Sequence, residues 1–270
     1  LAHAVQPSIP AMDAAIARAR TFLNSLGGSP STLTRYGDAD DGYALSEYLN
    51  LSWSAAPGEP VRTVFPDTGV TVAAFEAHDR LVFLHKDLGM PPSFGHGHSD
   101  ALSVTLRWRN QDVLIDPGTY LYGGDAGMRE YFRSAFAHNT VTIGGADACV
   151  QTGPFLWRSG KRCWTLFSEL NGNQVKVMAQ SDRYNAQGFV HSRGILYRRG
   201  RFLAIWDSIQ GRLPATQVVL RWQVNGDLTR TNDGGFRLTL PAGDSIRMVM
   251  PPNSKSTLGN SSTPIAASWS

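Results

Sequence analysis

The sequence of 270 residues has little cysteine, little charge and no long apolar run. Its two cysteines, Cys149 and Cys163, exclude a disulfide-rich scaffold and leave one disulfide or two free thiols as alternatives. Only 17% of the residues are charged and the net charge is +3, far from the dense Lys and Arg content of a nucleic-acid-binding domain. We therefore expect no nucleic acid among its partners.

No run of apolar residues is long enough to predict a membrane-spanning helix. The first residues also lack the basic start and apolar core of a secretory signal peptide. Because a processed or truncated chain would look the same, the localisation stays open. The periplasm or the extracellular space is favoured, and the cytoplasm is the alternative.

The residues that are abundant predict a folded, mostly β protein. Apolar residues make up 42% of the chain, and 27 glycines with 15 prolines are typical of a turn-rich fold. Alternating or β-branched runs separated by turn residues predict about thirteen strands. These predicted strands are 61–65, 70–76, 80–85, 101–109, 112–115, 139–143, 163–169, 174–180, 190–198, 202–209, 216–224, 236–240 and 245–250. So many short strands favour a large antiparallel β-sandwich.

The first 60 residues differ from the rest of the chain. Residues 11–26 show helical spacing of apolar side chains, with Pro10 at the start and Gly27 at the end. Residues 31–60 indicate a polar linker; a calcium loop counted from Asp38 fails because Leu49 stands where a glutamate is needed. We expect a helical segment and linker over 1–60 and a β-sandwich domain over 61–270, which is either complete or lacks strands at its C-terminus.

Four residues in the predicted β region combine into a candidate metal site. His96 and His98 flank a glycine, Asp116 follows 18 residues after His98, and His138 follows 22 residues after Asp116. Two imidazoles and a carboxylate are a common ligand set for zinc, with a fourth position for water, and other divalent metals remain alternatives. The competing interpretations are loop histidines or a hydrogen-bonded buried pair.

The predicted hairpin geometry argues mildly against one shared ion. A turn at Asn110–Gln111 would place Asp116 opposite Thr105, and His98 would lie well along the strand from it. A cupin, which also carries a His-x-His pair on a β fold, needs a glutamate a few residues later. Residues 99–104 contain none, so a small-molecule metalloenzyme of cupin type is the weaker alternative.

Five sequence pieces in one order resemble the heparinase II/III-like family of polysaccharide lyases. They are Gly-His-Gly-His-Ser-Asp (95–100), Leu-Ile-Asp-Pro-Gly-Thr-Tyr (114–120), Arg-Glu-Tyr-Phe-Arg-Ser (129–134), Ala-His-Asn-Thr-Val (137–141) and Gly-Pro-Phe-Leu-Trp (153–157). The Gly-Asp-Ala-Asp-Asp-Gly stretch (37–42) is similar to the segment that leads into that domain. The likeness covers roughly residues 35–225 and implies the C-terminal β-sandwich half, with the N-terminal helix as the end of an α-toroid.

The resemblance implies a role for each matching residue. His98, Asp116 and His138 would hold a structural zinc, and His96 would face the substrate cleft as an acid–base or charge-neutralising group. A tyrosine is expected near the cleft, and Tyr131 is favoured over Tyr122. A nearby arginine would lower the pKa of that tyrosine so that it can act as a base.

Two arginines complete the implied site. Arg129 and Arg133 would bind carboxylate or sulfate groups, because the planar guanidinium pairs with both oxygens at once. Bracing of a loop is the alternative for these arginines, and a place in the core is the alternative for Tyr131. Asn139 is read as a residue that holds a turn.

The implied function is β-elimination on an acidic, uronic-acid-containing polysaccharide. The resemblance implies that a helical toroid supplies a further tyrosine and a carboxylate-neutralising residue, and only one clear helix precedes the β region here. We therefore expect this chain to contribute the metal-bearing half of a lyase and to be incomplete as a catalyst by itself. The alternative is a non-catalytic glycan-binding or scaffold module with a structural metal.

Overall fold

The computed structural model describes residues 10–27, 34, 36–38, 62–66, 68–75, 79–120, 125–211 and 216–251, and within them the fold is mainly antiparallel β. Two α-helices lie in this part of the chain, α1 (Pro10–Leu26) and α2 (Ala126–Arg133). The strands are β1 (Arg62–Phe65), β2 (Val70–Ala74), β3 (Arg80–Leu84), β4 (Val104–Trp108), β5 (Gln111–Leu114), β6 (Val141–Ile143), β7 (Gln151–Gly153), β8 (Leu156–Trp157), β9 (Cys163–Asn171), β10 (Gln174–Ser181), β11 (Phe189–Arg198), β12 (Phe202–Gly211), β13 (Val218–Leu220), β14 (Asp227–Arg230), β15 (Phe236–Thr239) and β16 (Ser245–Met248).

Two sheets form the sandwich. The first has five strands in the order β1-β2-β3-β4-β5, and the second has four in the order β12-β11-β10-β9, with antiparallel neighbours in both. Smaller sheets join β13 to β6, β7 to β8, and β14, β15 and β16 to one another. The predicted antiparallel β-sandwich class is therefore confirmed.

The main core lies between these layers and joins apolar side chains of both large sheets to those of the β14–β16 sheet. Its fully buried members include Leu81, Phe83, Val177, Ile195 and Leu238. The alternation of buried and half-buried residues along β10 follows from this packing, because successive side chains of a strand point to opposite faces. The core thus fixes which face of β10 and β11 points inward and which points outward.

Helix α1 covers part of the other face of the first sheet. Its last turn places Phe22 and Leu26 against buried valines of β2 and β3. The buried guanidinium of Arg80 donates to the carbonyl of Leu26 at 2.5 Å, which satisfies one of the open acceptors at the helix end. The helix packs on the β-domain through its last turn, whereas Ile16 is 42% exposed.

The β4–β5 hairpin differs from the sequence prediction. Trp108 pairs with Gln111, so the turn residues are Arg109 and Asn110, both with positive φ, and not Asn110–Gln111. A bulge then shifts the register so that Leu106 pairs with Leu114. The predicted pairing of Asp116 with Thr105 was therefore wrong, because alternation along a strand does not reveal a bulge.

Two further sequence questions are resolved here. Cys149 and Cys163 are both free thiols, so the alternative of a disulfide between them is not found. In the described part of the chain, no helix has the length and apolar character needed to cross a membrane. The residues 39–42 of the rejected calcium loop and Tyr122 lie outside the described residues.

Candidate functional site

The loop that carries both histidines bends sharply around Gly97. A side chain at position 97 would overlap the carbonyl oxygen of Leu88, so only glycine fits this close approach. The indole N–H of Trp157 donates to the Gly97 carbonyl at 3.0 Å and fixes the bend. His96 adopts a left-handed backbone conformation with φ of 62°, uncommon for a residue other than glycine. As a result the His96 side chain is 68% exposed, and that of His98 is fully buried.

Asp38 joins the two histidines to each other and to helix α2. Its carboxylate accepts from Nδ1 of His96 at 2.6 Å, from Nε2 of His98 at 2.9 Å and from the hydroxyl of Thr119 at 2.6 Å. Nη1 of Arg129 donates to the same carboxylate at 2.9 Å. Burial opposes ionisation of Asp38, but the hydrogen bonds from His98, Thr119 and His96 outweigh it and hold the pKa below its ordinary value.

Sequence reasoning did not place Asp38 in the site. The residue lies about 60 positions before the histidines that it contacts, and no local pattern encodes such a contact. The one available signal was the similarity of the 37–42 stretch to the segment that precedes the family's domain. The contact makes Asp38 part of the candidate site.

The three predicted metal ligands lie together and are buried. Oδ2 of Asp116 accepts from Nδ1 of His138 at 2.8 Å, and its other oxygen accepts from the backbone N–H of Gly118 at 3.0 Å. The rings of His98 and His138 are 5.3 Å apart between centroids. Burial lowers the pKa of His98, whereas the Asp116 carboxylate outweighs burial and raises the pKa of His138.

These residues have the chemistry that a zinc ion would require. Nδ1 of His98 and Nε2 of His138 are buried ring nitrogens without a hydrogen-bond partner in the described part of the chain. When two imidazoles bind one tetrahedral zinc at Zn–N distances of about 2.1 Å, their ring centroids lie about 5 Å apart. The centroids of His98 and His138 are at a similar distance, 5.3 Å. Among the described residues, however, no group of three or more His, Cys, Asp or Glu side chains is arranged as a metal-binding cluster. Zinc therefore stays a prediction.

Helix α2 brings Arg129 to the exposed side of this cluster. The side chain of Asp125 caps the helix by accepting from two backbone N–H groups of its first turn. The Arg129 guanidinium lies 5.2 Å from the ring of Phe155, and the His96 ring is 5.6 Å from the same ring. Phe155 is part of the Gly-Pro-Phe-Leu-Trp piece but was not predicted as a site residue. It forms an exposed apolar surface beside His96.

Arg133, one helical turn after Arg129, is placed differently. Its side chain is fully buried, and Nη1 donates to the carbonyl oxygens of Gly153 at 2.9 Å and Pro154 at 2.6 Å. The guanidinium also lies 4.7 Å from the ring of Trp157. In this arrangement Arg133 braces the turn that carries Phe155, and its predicted contact with substrate stays a prediction.

Tyr131 is half-buried on the same helix. Its hydroxyl donates to the carbonyl of Phe136 at 3.3 Å. Burial raises the pKa of this phenol, and the opposing effect of Arg221 is the smaller of the two. The expectation that a neighbouring arginine would give this tyrosine a lowered pKa was therefore wrong, because desolvation of the phenolate costs more than Arg221 returns.

Asn139 does more than hold a turn. Its amide nitrogen donates to the carbonyls of Val104 and Ile115, both at 2.8 Å, and its oxygen accepts from the backbone N–H of Gln223 at 2.5 Å. Asn139, Val104 and Gln223 are buried and Ile115 is half-buried, so these bonds satisfy polar atoms that are largely shielded from water. The residue next to His138 is thereby tied to the first sheet and to the chain after β13.

A buried ion pair of the second sheet supports the same loops. Arg193 donates through Nε to Asp207 at 2.8 Å, and through Nη1 to the backbone carbonyls of Leu102 at 2.8 Å and Asn139 at 2.5 Å. His191 also bonds Asp207, at 2.6 Å. The inward face of β11 thus holds the segments that follow His98 and His138.

Comparison with known proteins agrees with this architecture. The sequence profile of the heparinase II/III-like C-terminal domain matches residues 57–263, and no curated protein sequence matches the chain. The structure of heparinase III aligns with a TM-score of 0.70 and 15% identity, over 93% of this chain and 43% of that chain. Heparan sulfate lyase from Pedobacter heparinus aligns with a TM-score of 0.72 and 14% identity, over 97% of this chain and 44% of that chain.

At these identities the solved structures establish the fold, and the chain spans less than half the length of either of them. The family profile covers most of the chain, including every residue of the candidate site except Asp38. The chain therefore belongs to the heparinase II/III-like family, of which it contains the C-terminal domain.

Proposed function

We propose that the chain forms one wall of the cleft of a lyase that cleaves acidic, uronic-acid-containing polysaccharide by β-elimination. The position of His96 is the main support for this proposal. It is exposed, it is held in a left-handed conformation, and its Nδ1 is hydrogen-bonded to the buried carboxylate of Asp38. Residues in sparsely populated backbone conformations are found preferentially at active sites and ligand clamps.

The reaction needs a proton acceptor, a proton donor and a positive group beside the substrate carboxylate. A base removes the proton from C5, the C–H electrons form the C4=C5 double bond, and the bond to the leaving oxygen breaks. That oxygen takes up a proton. Because Nδ1 of His96 is bonded to Asp38, its Nε2 is the position for proton transfer at the cleft. The same ring in its charged form would neutralise the carboxylate and make the C5 proton more acidic.

Arg129 and Tyr131 have secondary roles in this proposal. The guanidinium of Arg129 is 4% exposed and bonded to Asp38, so its first effect is to orient that carboxylate beneath His96. Phe155 would pack against the apolar face of a sugar ring beside the imidazole. Tyr131, with its raised pKa, suits protonation of a leaving oxygen better than removal of a proton.

His98, Asp116 and His138 would hold a zinc ion in the proposed protein. The ion would act as a structural cross-link, because it would connect three loops that are far apart in sequence. Asp38 bonds His98 on the opposite ring nitrogen, which fixes the orientation of that ligand. A helical toroid outside this chain would supply the facing wall; the chain aligns with 43% of the length of the heparinase III chain.

The decisive experiment measures the ultraviolet absorbance of the unsaturated uronate product. The natural full-length protein is incubated with heparan sulfate, alginate and bacterial exopolysaccharides. We expect turnover of at least one of them, and a fall in kcat of about 100-fold or more in His96→Ala with an unchanged melting temperature. Arg237→Ala, an exposed change on β15, is the control and should keep full activity.

Two outcomes would contradict the proposal: no absorbance with any acidic polysaccharide, or an undiminished rate in His96→Ala. A non-catalytic glycan-binding module is the second candidate. The burial of Arg133 and the raised pKa of Tyr131 favour it, because each leaves the exposed site with fewer reactive groups. Binding of acidic glycans without turnover, unaffected by His96→Ala, would select this second function.

A further inference from the structure

The outward face of the second sheet carries exposed aromatic and aliphatic side chains. Large apolar side chains are ordinarily buried, and a contiguous exposed group of them marks an interaction surface. The members of this group are Trp164, Leu166 and Phe167 on β9, and Phe202 and Trp206 on β12, each between 42% and 50% exposed. We call these five residues the aromatic face.

Strand register places the four aromatic members of the aromatic face on one side of the sheet, and Leu166 lies at the bulge of β9 beside Phe167. Phe167 pairs with Met178, Met178 with Gly194, and Gly194 with Trp206, so these four residues form one row across all four strands. The neighbouring positions on β10, β11 and β12, such as Val177 and Ile195, point into the core. The inward-pointing Arg193 that supports the candidate site is therefore on the opposite side of the sheet from the aromatic face.

Gly194 allows the indole of Trp206 to lie flat against the sheet. A Cβ atom at position 194 would overlap the Cε2 and Cζ2 atoms of that ring. The φ of Gly194 lies outside the left-handed region, so backbone conformation does not require a glycine there. The absence of a side chain at Gly194 leaves space for the indole ring. The ring lies along the sheet surface, and Trp206 is 47% exposed.

Polar side chains alternate with the aromatic ones on this surface. Lys176 and Glu169 form an exposed ion pair at 3.1 Å one row away from Phe167 and Trp206. Gln180 pairs with Trp164, and Arg198 pairs with Phe202. The surface therefore offers flat apolar rings together with hydrogen-bonding groups at close intervals.

We infer that the aromatic face is a second carbohydrate-binding site, on which a linear polysaccharide chain stacks its pyranose rings against Trp206, Phe167 and Trp164. One face of a pyranose ring presents C–H groups that pack on an aromatic ring, and its hydroxyls bond to polar groups at the edge. A flat indole flanked by Lys, Arg, Glu and Gln side chains matches both demands. The inference goes beyond the proposed function, since it needs no chemistry at His96.

The size of the aromatic face favours a polysaccharide over a protein partner. Four strands about 4.8 Å apart and four rows about 6.8 Å apart make a surface of roughly 14 by 20 Å, or on the order of 300 Å². A stable protein interface buries roughly 800 Å² per partner and has few charges at its centre. The aromatic face is smaller than that and has an ion pair within it, whereas a single oligosaccharide strand needs only a narrow platform.

The test measures retardation of the full chain in native gels that contain heparan sulfate, alginate or a neutral β-glucan. We expect at least one polysaccharide to retard the wild type, and about a ten-fold weaker affinity in Trp206→Ala. Gly194→Ala keeps every aromatic ring but displaces the indole, so it should weaken binding to a similar extent. Trp206→Phe should restore part of the affinity. Melting temperatures establish that each variant is folded.

Met90→Ala, which removes an 80% exposed apolar side chain outside the aromatic face, is the matched control and should bind as the wild type does. Unchanged retardation in both Trp206→Ala and Gly194→Ala would overturn the inference. So would a dimer in solution that dissociates in Trp206→Ala, because the occupant would then be a second copy of the chain. Since His96→Ala should leave this binding intact, failure here is distinguishable from failure of the proposed lyase activity.

Discussion

His85 is a buried imidazole that makes the stability of the protein depend on pH. Its ring nitrogens lie 2.9 Å from the hydroxyl of Thr71 and 3.2 Å from that of Thr165, and among the described residues no carboxylate is hydrogen-bonded to the ring. Burial therefore lowers the pKa of His85 to about 4. The unfolded chain takes up this proton near pH 6.5 and the folded chain does not. The stability that depends on a neutral His85 is thus fully present above pH 6.5 and is lost as the pH falls toward 4.

From these two pKa values, His85 should remove about 2 kcal/mol of stability between pH 7.5 and pH 5. Denaturant unfolding of the wild type and of His85→Asn at both pH values measures this contribution. The loss on acidification should be smaller in the variant by about that amount. A remaining loss is expected, since burial also lowers the pKa of His191. Equal losses in the two proteins would show that His85 is not the origin.

At the scale of the element, the loop at 95–98 depends on one glycine. Gly97→Ala would push the added methyl group into the Leu88 carbonyl, and the loop would have to shift as a whole. We expect a loss of about 1–3 kcal/mol of stability together with loss of lyase activity, because His96 and His98 would both move. Gly153→Ala is the control, since its Cβ would meet only the Leu156 side chain at 3.6 Å. Unfolding free energies that agree for the two variants would contradict this explanation.

The elements that sequence patterns predicted are those within an alternating, β-branched or helically spaced run of apolar residues. Helix α1 and all thirteen predicted strands are found near their expected positions, because the spacing of their apolar residues is visible in the sequence. Strands β7, β8 and β14 and helix α2 were not predicted. The first two have only three and two residues, and α2 has eight residues whose place depends on its cap and on distant partners of its arginines.

Part of the candidate site could also be predicted from the sequence. The histidine pair, Asp116 and His138 lie in short motifs that a sequence displays directly. Asp38 could not be found in this way, because its role arises from hydrogen bonds to side chains 58 to 91 residues away. The buried state of Arg129 and Arg133 was equally hidden, since it depends on partners distant in the sequence, Asp38 for Arg129 and the carbonyls of residues 153 and 154 for Arg133.

For the whole molecule, the three predicted metal ligands lie on segments that are far apart in the sequence. His98 follows β3, Asp116 follows β5, and His138 precedes β6. A zinc ion bound to all three would stabilise the folded state and not the unfolded chain. The free energy of unfolding would rise by about 2.7 kcal/mol when the free zinc concentration is 100 times the dissociation constant. We predict one zinc per chain and a melting temperature that falls on treatment with a chelator and recovers when zinc is returned.

Elemental analysis and thermal unfolding of the purified full chain test this prediction together. His98→Ala and His138→Ala should each lose the metal and should no longer respond to added zinc, because two ligands cannot hold the ion at the same affinity. His85→Asn is the matched histidine control: it removes a buried imidazole outside the triad and should retain both the metal and the response. Freshly purified protein without metal, and with a melting temperature that zinc does not change, would leave Asp116 and His138 as a purely hydrogen-bonded pair.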